Sequence, residues 1–307
     1  MKKIIAITGL NGVLGKNLLL GTLKNVQKKY KFIDLYHSKK NISADSLLDV
    51  SHIKIDLTVA NNITEVLNKV KPDYIIHLAA ITHIDRCEKD KINGKNGQVW
   101  QVNVNATSEI AKFCQQNHAR LIFLSTECVF NGQNEISYSE ESLTKPKNWY
   151  GFTKAAAETV IRDSKSPWTI IRSVVAYDIN DDLPTIFSSI KKAFELGSLF
   201  NVVNDQKFTP TYIPDIYFVI WRIILKNHNG IFHVVPKIIT TPYQFAITIG
   251  KHFAYDTSIV KGLSMRKYFS LDQSKLRLKN ACLDSTASVK ILKYKPKMIE
   301  KVLKNLK

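Results

Sequence analysis

The sequence predicts an α/β protein built on a doubly wound, Rossmann-type parallel sheet with a smaller C-terminal α/β lobe, and two observations carry that prediction. Short apolar runs rich in β-branched residues alternate with longer amphipathic stretches over about the first 175 residues, which is typical of a parallel sheet covered by helices. A glycine-rich segment follows the first apolar run and opens the first amphipathic stretch, as in dinucleotide-binding βαβ units.

The predicted elements follow one another in the order of βαβ units. The apolar runs predict strands at 4–8, 32–36, 53–55, 74–78, 121–125 and 168–173. The amphipathic stretches predict helices at about 12–28, 62–70, 99–117 and 150–162. The second helix stops before Pro72, since proline cannot continue a helix, and the stretch 88–98, which contains two glycines, is predicted to be an exposed loop.

Beyond these units the pattern is less regular. Helices are predicted at 185–196, from Pro214 to about 226, and from Pro242 to 253, because proline suits the first helical turn. A strand at 231–235 and a last short helix after Asp284 or Ser285 complete the chain. We predict a Rossmann domain over 1–176, rejoined by about 201–230, and a second lobe made of 177–200 and 231–307.

The composition excludes several classes of protein. The chain has 307 residues, 45% of them hydrophobic, which is too apolar for intrinsic disorder. The four cysteines form no C-x-x-C pair and the eight histidines show no metal-ligand spacing, so neither a disulfide scaffold nor a metal site is supported. No apolar run approaches the ~18 residues that span a bilayer. We expect a reduced, cytoplasmic protein with no membrane partner.

The formal net charge of +18 comes mainly from lysines scattered along the chain, because only seven of the 44 basic residues are arginine. Proteins that bind nucleic acid usually carry a clustered basic stripe and use arginine to read bases. The charge therefore predicts a solvated lysine-rich surface whose field attracts a small anionic substrate, and no nucleic-acid partner.

The first chemical motif is the segment Thr8-Gly9-Leu10-Asn11-Gly12-Val13-Leu14-Gly15, which joins a predicted strand to a predicted helix. Glycines there allow a tight turn, a close approach to a pyrophosphate and packing of the helix on the sheet. The helix N-terminus then faces the negative charge of the phosphates. The segment predicts dinucleotide-binding residues, which are Gly9, Asn11, Gly12, Val13, Leu14 and Gly15.

The residues after the second strand indicate which dinucleotide binds. A carboxylate at the end of that strand would hold the ribose 2′-hydroxyl of NAD, but here Asp34 lies inside the strand and Lys39-Lys40 follow it. Two lysines suit a 2′-phosphate, so NADP is favoured over NAD, with Lys39 as a cofactor residue. Two further pairs are predicted beside the cofactor, namely Asp56-Leu57 at the adenine edge and the small Ala79-Ala80.

The second chemical motif is Tyr150-Gly151-Phe152-Thr153-Lys154. The i, i+4 spacing places Tyr150 and Lys154 on one face of a helix. A tyrosine has a reference pKa of about 10, and a neighbouring ammonium and an oxidised nicotinamide ring would lower it toward neutrality. With Ser125-Thr126 at the end of the intervening strand, the spacing predicts a catalytic Tyr150–Lys154 pair.

With these motifs the chain resembles the extended short-chain dehydrogenase/reductases, most closely the dTDP-4-dehydrorhamnose reductase family. The resemblance runs along nearly the whole chain. Its general segments are 9–15, 79–88, 102–103, 124–132, 138–141 and 145–151. Two later segments are characteristic of the reductase branch, namely 203–206 with 209–211, and 277–284.

The resemblance implies hydride transfer from NAD(P)H to the keto carbon of a nucleotide-linked sugar. By that resemblance Thr126 binds the carbonyl oxygen, Tyr150 donates the proton, and Lys154 holds the ribose and biases Tyr150. The implied substrate side comprises Thr82, Gln206, Arg277 and Asn280, with Arg277 able to meet a diphosphate. Members of this branch are often dimers, which makes a homodimer possible.

The chain departs from the family pattern mainly on the substrate side. Glu127-Cys128 stand where the family has Asp-Tyr, and Leu278 and Ala281 stand where Pro and Ser are usual. These departures leave the particular sugar open. Two alternative functions also stay open, a related nucleotide-sugar epimerase and a non-catalytic NADP-binding subunit resembling the regulatory subunit of methionine adenosyltransferase. A dehydratase is disfavoured because its acidic pair after the threonine is not matched.

Overall fold

A computed structural model describes residues 2–21, 26, 28–40, 48–134, 136–180 and 182–306. Its strands, in chain order, are β1 Lys3–Thr8, β2 Tyr30–Tyr36, β3 Val50–Lys54, β4 Tyr74–His77, β5 Arg120–Thr126, β6 Trp168–Ser173, β7 Phe200–Val203, β8 Lys207–Phe208, β9 Gly230–His233, β10 Val260–Leu263 and β11 Asn280–Ala281. Its α-helices of four or more residues are α1 Ala60–Val70, α2 Ile84–Asp90, α3 Ala106–Asn117, α4 Trp149–Asp163, α5 Ile186–Glu195, α6 Ile213–Lys226, α7 Pro242–His252, α8 Met265–Tyr268, α9 Leu271–Lys275, α10 Thr286–Leu292 and α11 Ile299–Leu303, and a three-residue helical segment, Gln98–Trp100, precedes α3.

Within the described residues, seven strands form a sheet in the order β3-β2-β1-β4-β5-β6-β9. Every pairing in it is parallel. The chain moves outward from β1 to β3 and then returns to the other side of β1 with β4. This reversal opens a crevice at the carboxyl ends of β1 and β4, which is where ligands bind in doubly wound sheets. The predicted fold class is confirmed.

Both faces of the sheet are covered, which explains why its strands read as continuous apolar runs. Along β1, Ile5 and Ile7 enter one core cluster together with α6 residues such as Trp221. Ala6, which points to the opposite face, packs in a second cluster with residues of α1, α3 and α4. A third cluster lies in the C-terminal part of the chain and includes Phe208.

The predicted lobe boundaries need one correction. Residues 230–233 form β9 and pair with β6, although the prediction placed 231–307 in the second lobe. Phe232 is buried in the same cluster as β1, so this short apolar strand gains more burial on the sheet edge than in the lobe. The segment 201–230, which was predicted to rejoin the Rossmann domain, is divided between two clusters. Its helix α6 packs in the cluster of β1, whereas Val202 packs in the C-terminal cluster.

Two local predictions differ from the structure. The stretch predicted as an exposed loop at 88–98 is largely helical, with α2 followed by a 3-10 helix over Lys91–Asn96. The His83 side chain caps α2, and the Asp90 carboxylate accepts the Val99 amide at 2.8 Å, so polar side chains support these turns. In the helix predicted at 12–28, residues 12–21 form consecutive turns, and 22–25 and 27 lie outside the described residues.

Two short parallel ladders were not predicted. In them β10 pairs with β7, and β11 pairs with β8. Segments of two to four residues carry too little periodicity to be distinguished from loops. In the described part of the chain, no helix has the length and apolar character needed to cross a bilayer.

Candidate active site

The glycine segment forms a tight turn that lies against the end of β4. Gly9 has a φ of 79°, and a Cβ there would lie 2.6 Å from the Ala79 amide nitrogen. A Cβ on Gly15 would overlap the Gly9 carbonyl oxygen. Only glycine fits at these two positions, so they bring the end of β1, the turn and the Leu78–Ala79 backbone into contact.

A cavity of about 390 Å³ opens at this turn, at the carboxyl ends of β1 and β4. Six predicted cofactor residues line it, which are Gly9, Gly12, Asp56, Leu57, Ala79 and Ala80. Within 4 Å, a Cβ on Gly12 would meet only the Gly9 oxygen, at 3.2 Å, so the space beside Gly12 is otherwise open to a ligand. The turn and the crevice therefore fit a dinucleotide. The lining also contains residues that were not predicted to bind the cofactor, among them His37, Arg86 and Gln98.

The other predicted cofactor residues surround this cavity. The Asn11 side-chain amide donates to the Lys39 carbonyl oxygen, and the Lys39 side chain is exposed. Val13 and Leu14 pack against the core cluster of the sheet, so their side chains support the turn. Asp34 is buried and its carboxylate lies 3.0 Å from His52 Nδ1. Because this carboxylate pairs with His52 inside the protein, it does not serve as a ribose ligand.

Buried hydrogen bonds fix the ends of β1 and β4 relative to each other. His77 Nδ1 lies 2.7 Å from the Thr8 hydroxyl, which also accepts the Ala79 amide at 3.3 Å. Burial lowers the pKa of His77 to about 3, so the ring is neutral. This confirms His77 as a buried core histidine.

Asn103 connects the cofactor cavity to the predicted catalytic helix. Its side chain accepts the Ile81 amide at 2.8 Å, donates to the Ile81 carbonyl at 3.0 Å and donates to the Thr153 hydroxyl at 3.0 Å. Thr153 in turn donates to the Tyr150 carbonyl at 2.8 Å. Ile81 lines the cavity, so Tyr150 is tied to it. A π-helical segment, Gln101–Asn105, presents Asn103, and only the family resemblance in 102–103 could have pointed to it.

The three predicted catalytic residues meet at the carboxyl end of β5. Thr126 ends this strand, and Tyr150 lies on the first turn of α4, which packs against the 3-10 turn that follows Thr126. Asn148 caps α4 by accepting the Gly151 amide at 2.7 Å and donates to the Leu276 carbonyl at 2.8 Å. The cap fixes where the helix begins and hence where Tyr150 lies.

The expected lowering of the pKa of Tyr150 is not found. Burial and the neighbouring Cys128 and Glu127 raise the pKa of this phenol well above its ordinary value, although the Thr126 hydrogen bond opposes the shift. Tyr150 therefore holds its proton at neutral pH, as a proton donor must.

Lys154 is buried one turn further along α4. Its ammonium donates to the Leu124 carbonyl at 2.7 Å and lies 3.7 Å from the centre of the Phe123 ring. Burial lowers the pKa of Lys154 to about 7, opposed by the charge of Glu158. The amine is thus held at the end of β5, on the backbone of the strand that carries Thr126.

The position directly after Tyr150 has room only for glycine. A Cβ at this position would overlap the Cys128 carbonyl group. The first turn of α4 therefore lies in backbone contact with the 3-10 turn Glu127–Val129 that follows Thr126.

We expect Gly151→Ala to lower turnover by roughly 10²-fold, because a displacement of about 1 Å at reacting groups costs that much. The variant should also melt at a lower temperature than the wild type. Steady-state rates and thermal melts measure both effects, with Phe152→Ala at the neighbouring, exposed position as the control. A normal rate in Gly151→Ala would show that the close approach does not set the geometry.

Of the four residues expected on the substrate side, Gln206, Arg277 and Asn280 lie on neighbouring stretches of backbone, because β8 pairs with β11. Thr82 is exposed, and Gln206 donates to the Leu278 carbonyl at 2.8 Å. Asn280 is buried and its amide donates to the carbonyls of Asn134 and Ile136. Asn280 thus ties a loop to β11, and its amide hydrogens are used within the protein.

Arg277 forms a two-pronged ion pair with Asp85, with nitrogen–oxygen distances of 3.0 and 2.8 Å. The guanidinium also stacks on Phe269, 4.1 Å from its centre. The pair joins the C-terminal part of the chain to α2, beside Arg86 at the edge of the cofactor cavity. Arg277 is therefore close to the site but engaged with a carboxylate.

A second cavity, of about 410 Å³, lies among the residues of the C-terminal part. Its lining is mainly apolar and aromatic and includes Phe200, Tyr268 and Phe269, with Gln206 as one of its polar groups. Phe269 lies between this cavity and Arg277. A bound molecule with an aromatic group and an anionic group could use both.

A buried ion pair stands behind the end of β5. Glu158 on α4 accepts two hydrogen bonds from Arg172 on β6, at 2.9 and 2.6 Å, and one from the Ser125 hydroxyl at 2.6 Å. Both charged side chains are almost fully buried. The network joins α4, β5 and β6 directly beneath Thr126.

The chain is similar to known reductases over most of its length. The chain is 25% identical over 282 residues to the probable low-salt glycan biosynthesis reductase Agl14 of Haloferax volcanii, covering 91% of this chain and 88% of that one. It is also 25% identical over 316 residues to the dTDP-4-dehydrorhamnose reductase of Aggregatibacter actinomycetemcomitans, covering 99% and 98%.

Solved structures show the same fold. The crystal structure of dTDP-4-dehydrorhamnose reductase from Yersinia enterocolitica matches with a TM-score of 0.82 and 25% identity, covering 99% of this chain and 98% of that one. The enzyme from Bacillus anthracis, solved in complex with NADP, matches with a TM-score of 0.82 and 23% identity over the same shares. The model of the RmlD substrate binding domain matches residues 1–306, and the chain therefore belongs to the RmlD substrate binding domain family, as its resemblance to the dTDP-4-dehydrorhamnose reductases indicated.

Proposed function

We propose that the protein is an NAD(P)H-dependent reductase that acts on the keto group of a nucleotide-linked sugar, with NADP favoured as its cofactor. One observation carries the proposal. Thr126 ends β5 beside the first turn of α4, which carries Tyr150, and Asn103 ties α4 to the cavity lined by the glycine turn. A hydroxyl, a phenol and a dinucleotide crevice in this arrangement suit reduction of a carbonyl group.

The bound dinucleotide would supply hydride. The glycine turn and Ala79-Ala80 would hold it, with the pyrophosphate against the backbone amides of the turn. Lys154 would contact the ribose, since its ammonium is already held at the end of β5. The glycine turn and Ala79-Ala80 follow the ends of β1 and β4, and Lys154 lies on α4, so these residues would position the cofactor without a long loop.

On the substrate side, Thr126 would donate a hydrogen bond to the keto oxygen and Tyr150 would give it a proton. The raised pKa of Tyr150 keeps the phenol protonated until negative charge develops on the oxygen. The mainly apolar cavity beside Phe269 would hold the base of the nucleotide, and Arg277 would face its diphosphate after leaving Asp85.

The direct test is oxidation of NADPH by the purified protein with dTDP-4-dehydrorhamnose, the substrate named for several of the relatives. Turnover supports the reductase. Tight NADPH binding with no turnover on any keto-sugar nucleotide would contradict it and would favour the non-catalytic subunit, whereas inversion of a sugar centre without net oxidation would favour the epimerase.

We expect Lys39→Glu to weaken NADPH binding about tenfold and to change NADH binding less than twofold. The exposed ammonium of Lys39 follows β2, where a 2′-phosphate would lie, and Asp34 is paired with His52. Fluorescence titration measures both dissociation constants, and Lys192→Glu on α5 gives the same charge change away from the cavity. Equal losses for the two cofactors would contradict the assignment of Lys39.

We also propose a cytoplasmic location. The four cysteines are buried free thiols, which suits a reducing compartment. The possible homodimer stays a prediction from the family resemblance.

A further inference from the structure

Glu127 is a buried acid of this site. It follows Thr126 directly, is only 8% exposed and lies in the 3-10 turn packed against α4. The Thr126 hydroxyl lies 2.7 Å from its Oε2 atom, and the Cys128 thiol lies 3.8 Å from Oε1. Over the described residues, no lysine or arginine forms a salt bridge with it.

The hydroxyl of Thr126 has one proton and two acceptor positions. The Cys128 amide, at 3.2 Å, already uses one acceptor position. An ionised Glu127 can only accept, so it takes the Thr126 proton and leaves none for a substrate. A protonated Glu127 can donate to the remaining acceptor position of Thr126, which turns the threonine proton outward.

We propose that Glu127 is a positioning residue that must be protonated for Thr126 to donate its hydrogen bond to the keto oxygen of the substrate. This inference rests on the proposed function, because it assigns Glu127 a role in the same reaction. The acid does not touch the substrate and transfers no proton to it. It sets the direction of one hydrogen bond.

The surroundings of Glu127 favour the protonated form. Burial raises the pKa of Glu127, while the hydrogen bonds to Thr126 and the backbone oppose that rise. The titratable groups that face it are the Cys128 thiol on its own turn and the Tyr150 phenol on α4, and the pKa values of both are raised well above their ordinary values. Both neighbours are therefore neutral near pH 7 and supply no cation to hold a carboxylate.

The sign of the pH dependence follows. At low pH Glu127 is protonated and Thr126 donates to the substrate. As the pH rises through the pKa of Glu127, the carboxylate captures the Thr126 proton and kcat/KM falls. The fall ends on a plateau, because Tyr150 still donates. The loss should be about 10- to 100-fold, somewhat less than the effect of deleting a donor to a full oxyanion.

The test compares pH profiles of kcat/KM for the wild type, Glu127→Gln, Thr126→Val and Thr126→Ser. The amide of Glu127→Gln always donates, so we expect this variant to stay within about threefold of the wild-type acid plateau and to lack the fall that Glu127 causes. A fall due to Lys154, whose pKa is lowered to about 7 by burial, is common to all four proteins. Thr126→Val should also lack the fall that Glu127 causes and should match the wild type at high pH, and adding Glu127→Gln to it should change nothing further. Thr126→Ser keeps the hydroxyl and should keep the wild-type profile. A wild-type profile in Glu127→Gln, or a loss of rate at every pH, would overturn the proposal.

A second measurement does not depend on turnover. An infrared titration of the protein alone follows the carbonyl stretch of a protonated carboxylic acid, assigned to Glu127 by its loss in Glu127→Gln. We expect the band at low pH and its loss over the same pH range in which kcat/KM falls, and its absence at every pH would overturn the role of Glu127 even in an active reductase. If the band is present and no keto-sugar is reduced, the proposed function fails, and with it the role in catalysis that rests on it.

Discussion

Replacing Tyr150 with phenylalanine is expected to lower keto-sugar reduction by roughly 10²- to 10⁴-fold, the usual contribution of a positioned general acid. The phenol is the group that must release a proton to the new hydroxyl. The substitution removes one oxygen and leaves the ring, so the packing of α4 stays as it is. The dissociation constant for NADPH should change by less than about threefold, because the cavity lining does not include the Tyr150 oxygen.

Two comparisons make the test specific. Tyr243→Phe removes the same oxygen from a partly buried tyrosine in the C-terminal cluster, and this variant should reduce the substrate at the wild-type rate. Rates are measured by NADPH oxidation under single-turnover conditions, so that product release does not mask the chemical step. A Tyr150→Phe enzyme with more than about a third of the wild-type rate would remove Tyr150 from the role of proton donor.

The sequence predicted the parts of the fold that depend on local pattern. The apolar runs 4–8 and 168–173 are strands, and Asn148 and Gly151 bound the start of a helix that had been predicted from 150. Such elements are fixed by burial on both faces of a sheet and by capping. The glycine turn also depends on local pattern. The positive φ of Gly9 and the close backbone approach at Gly9 and Gly15 leave few alternatives to glycine.

The contacts of the substrate side could not be predicted, because they join residues far apart in the chain. Nothing near Arg277 indicates that it pairs with Asp85, which lies 192 positions away. Nothing near Asn280 indicates that its amide donates to the carbonyls of Asn134 and Ile136. A motif gives the type of a residue, and only tertiary packing decides whether its polar atoms face a ligand or the protein.

The pKa of Tyr150 shows the same limit. The spacing to Lys154 correctly places both residues on α4, but the predicted lowering assumed that the ammonium acts on the phenol. In the structure the ammonium binds the Leu124 carbonyl, and burial, together with Cys128 and Glu127, raises the pKa of the phenol.

Glu158→Gln is expected to lower the free energy of unfolding by about 3–5 kcal/mol, the usual effect of removing one partner of a buried ion pair. The substitution leaves the Arg172 guanidinium buried, with the Phe130 ring 5.1 Å away and His233 Nε2 at 3.4 Å. His233 cannot replace the lost negative charge, because an imidazole is either neutral or cationic. Burial and Arg172 lower the pKa of His233 to about 3, so the ring is neutral.

A matched surface pair separates the effect of burial from the effect of charge. Glu109 pairs with Lys112 at 2.7 Å on the exposed side of α3, close to the 2.6 Å of Glu158 and Arg172. Glu109→Gln should cost less than about 1 kcal/mol, because water screens exposed pairs.

Urea denaturation of the two variants, and of Glu158→Gln combined with Arg172→Met, measures the difference. The double variant should lose less than the sum of its single variants, since removing both charges leaves neither buried alone. If Glu158→Gln were as mild as Glu109→Gln, the network beneath Thr126 would not hold α4 against the sheet, and the position of Tyr150 would have to depend on Asn148 and Gly151 alone.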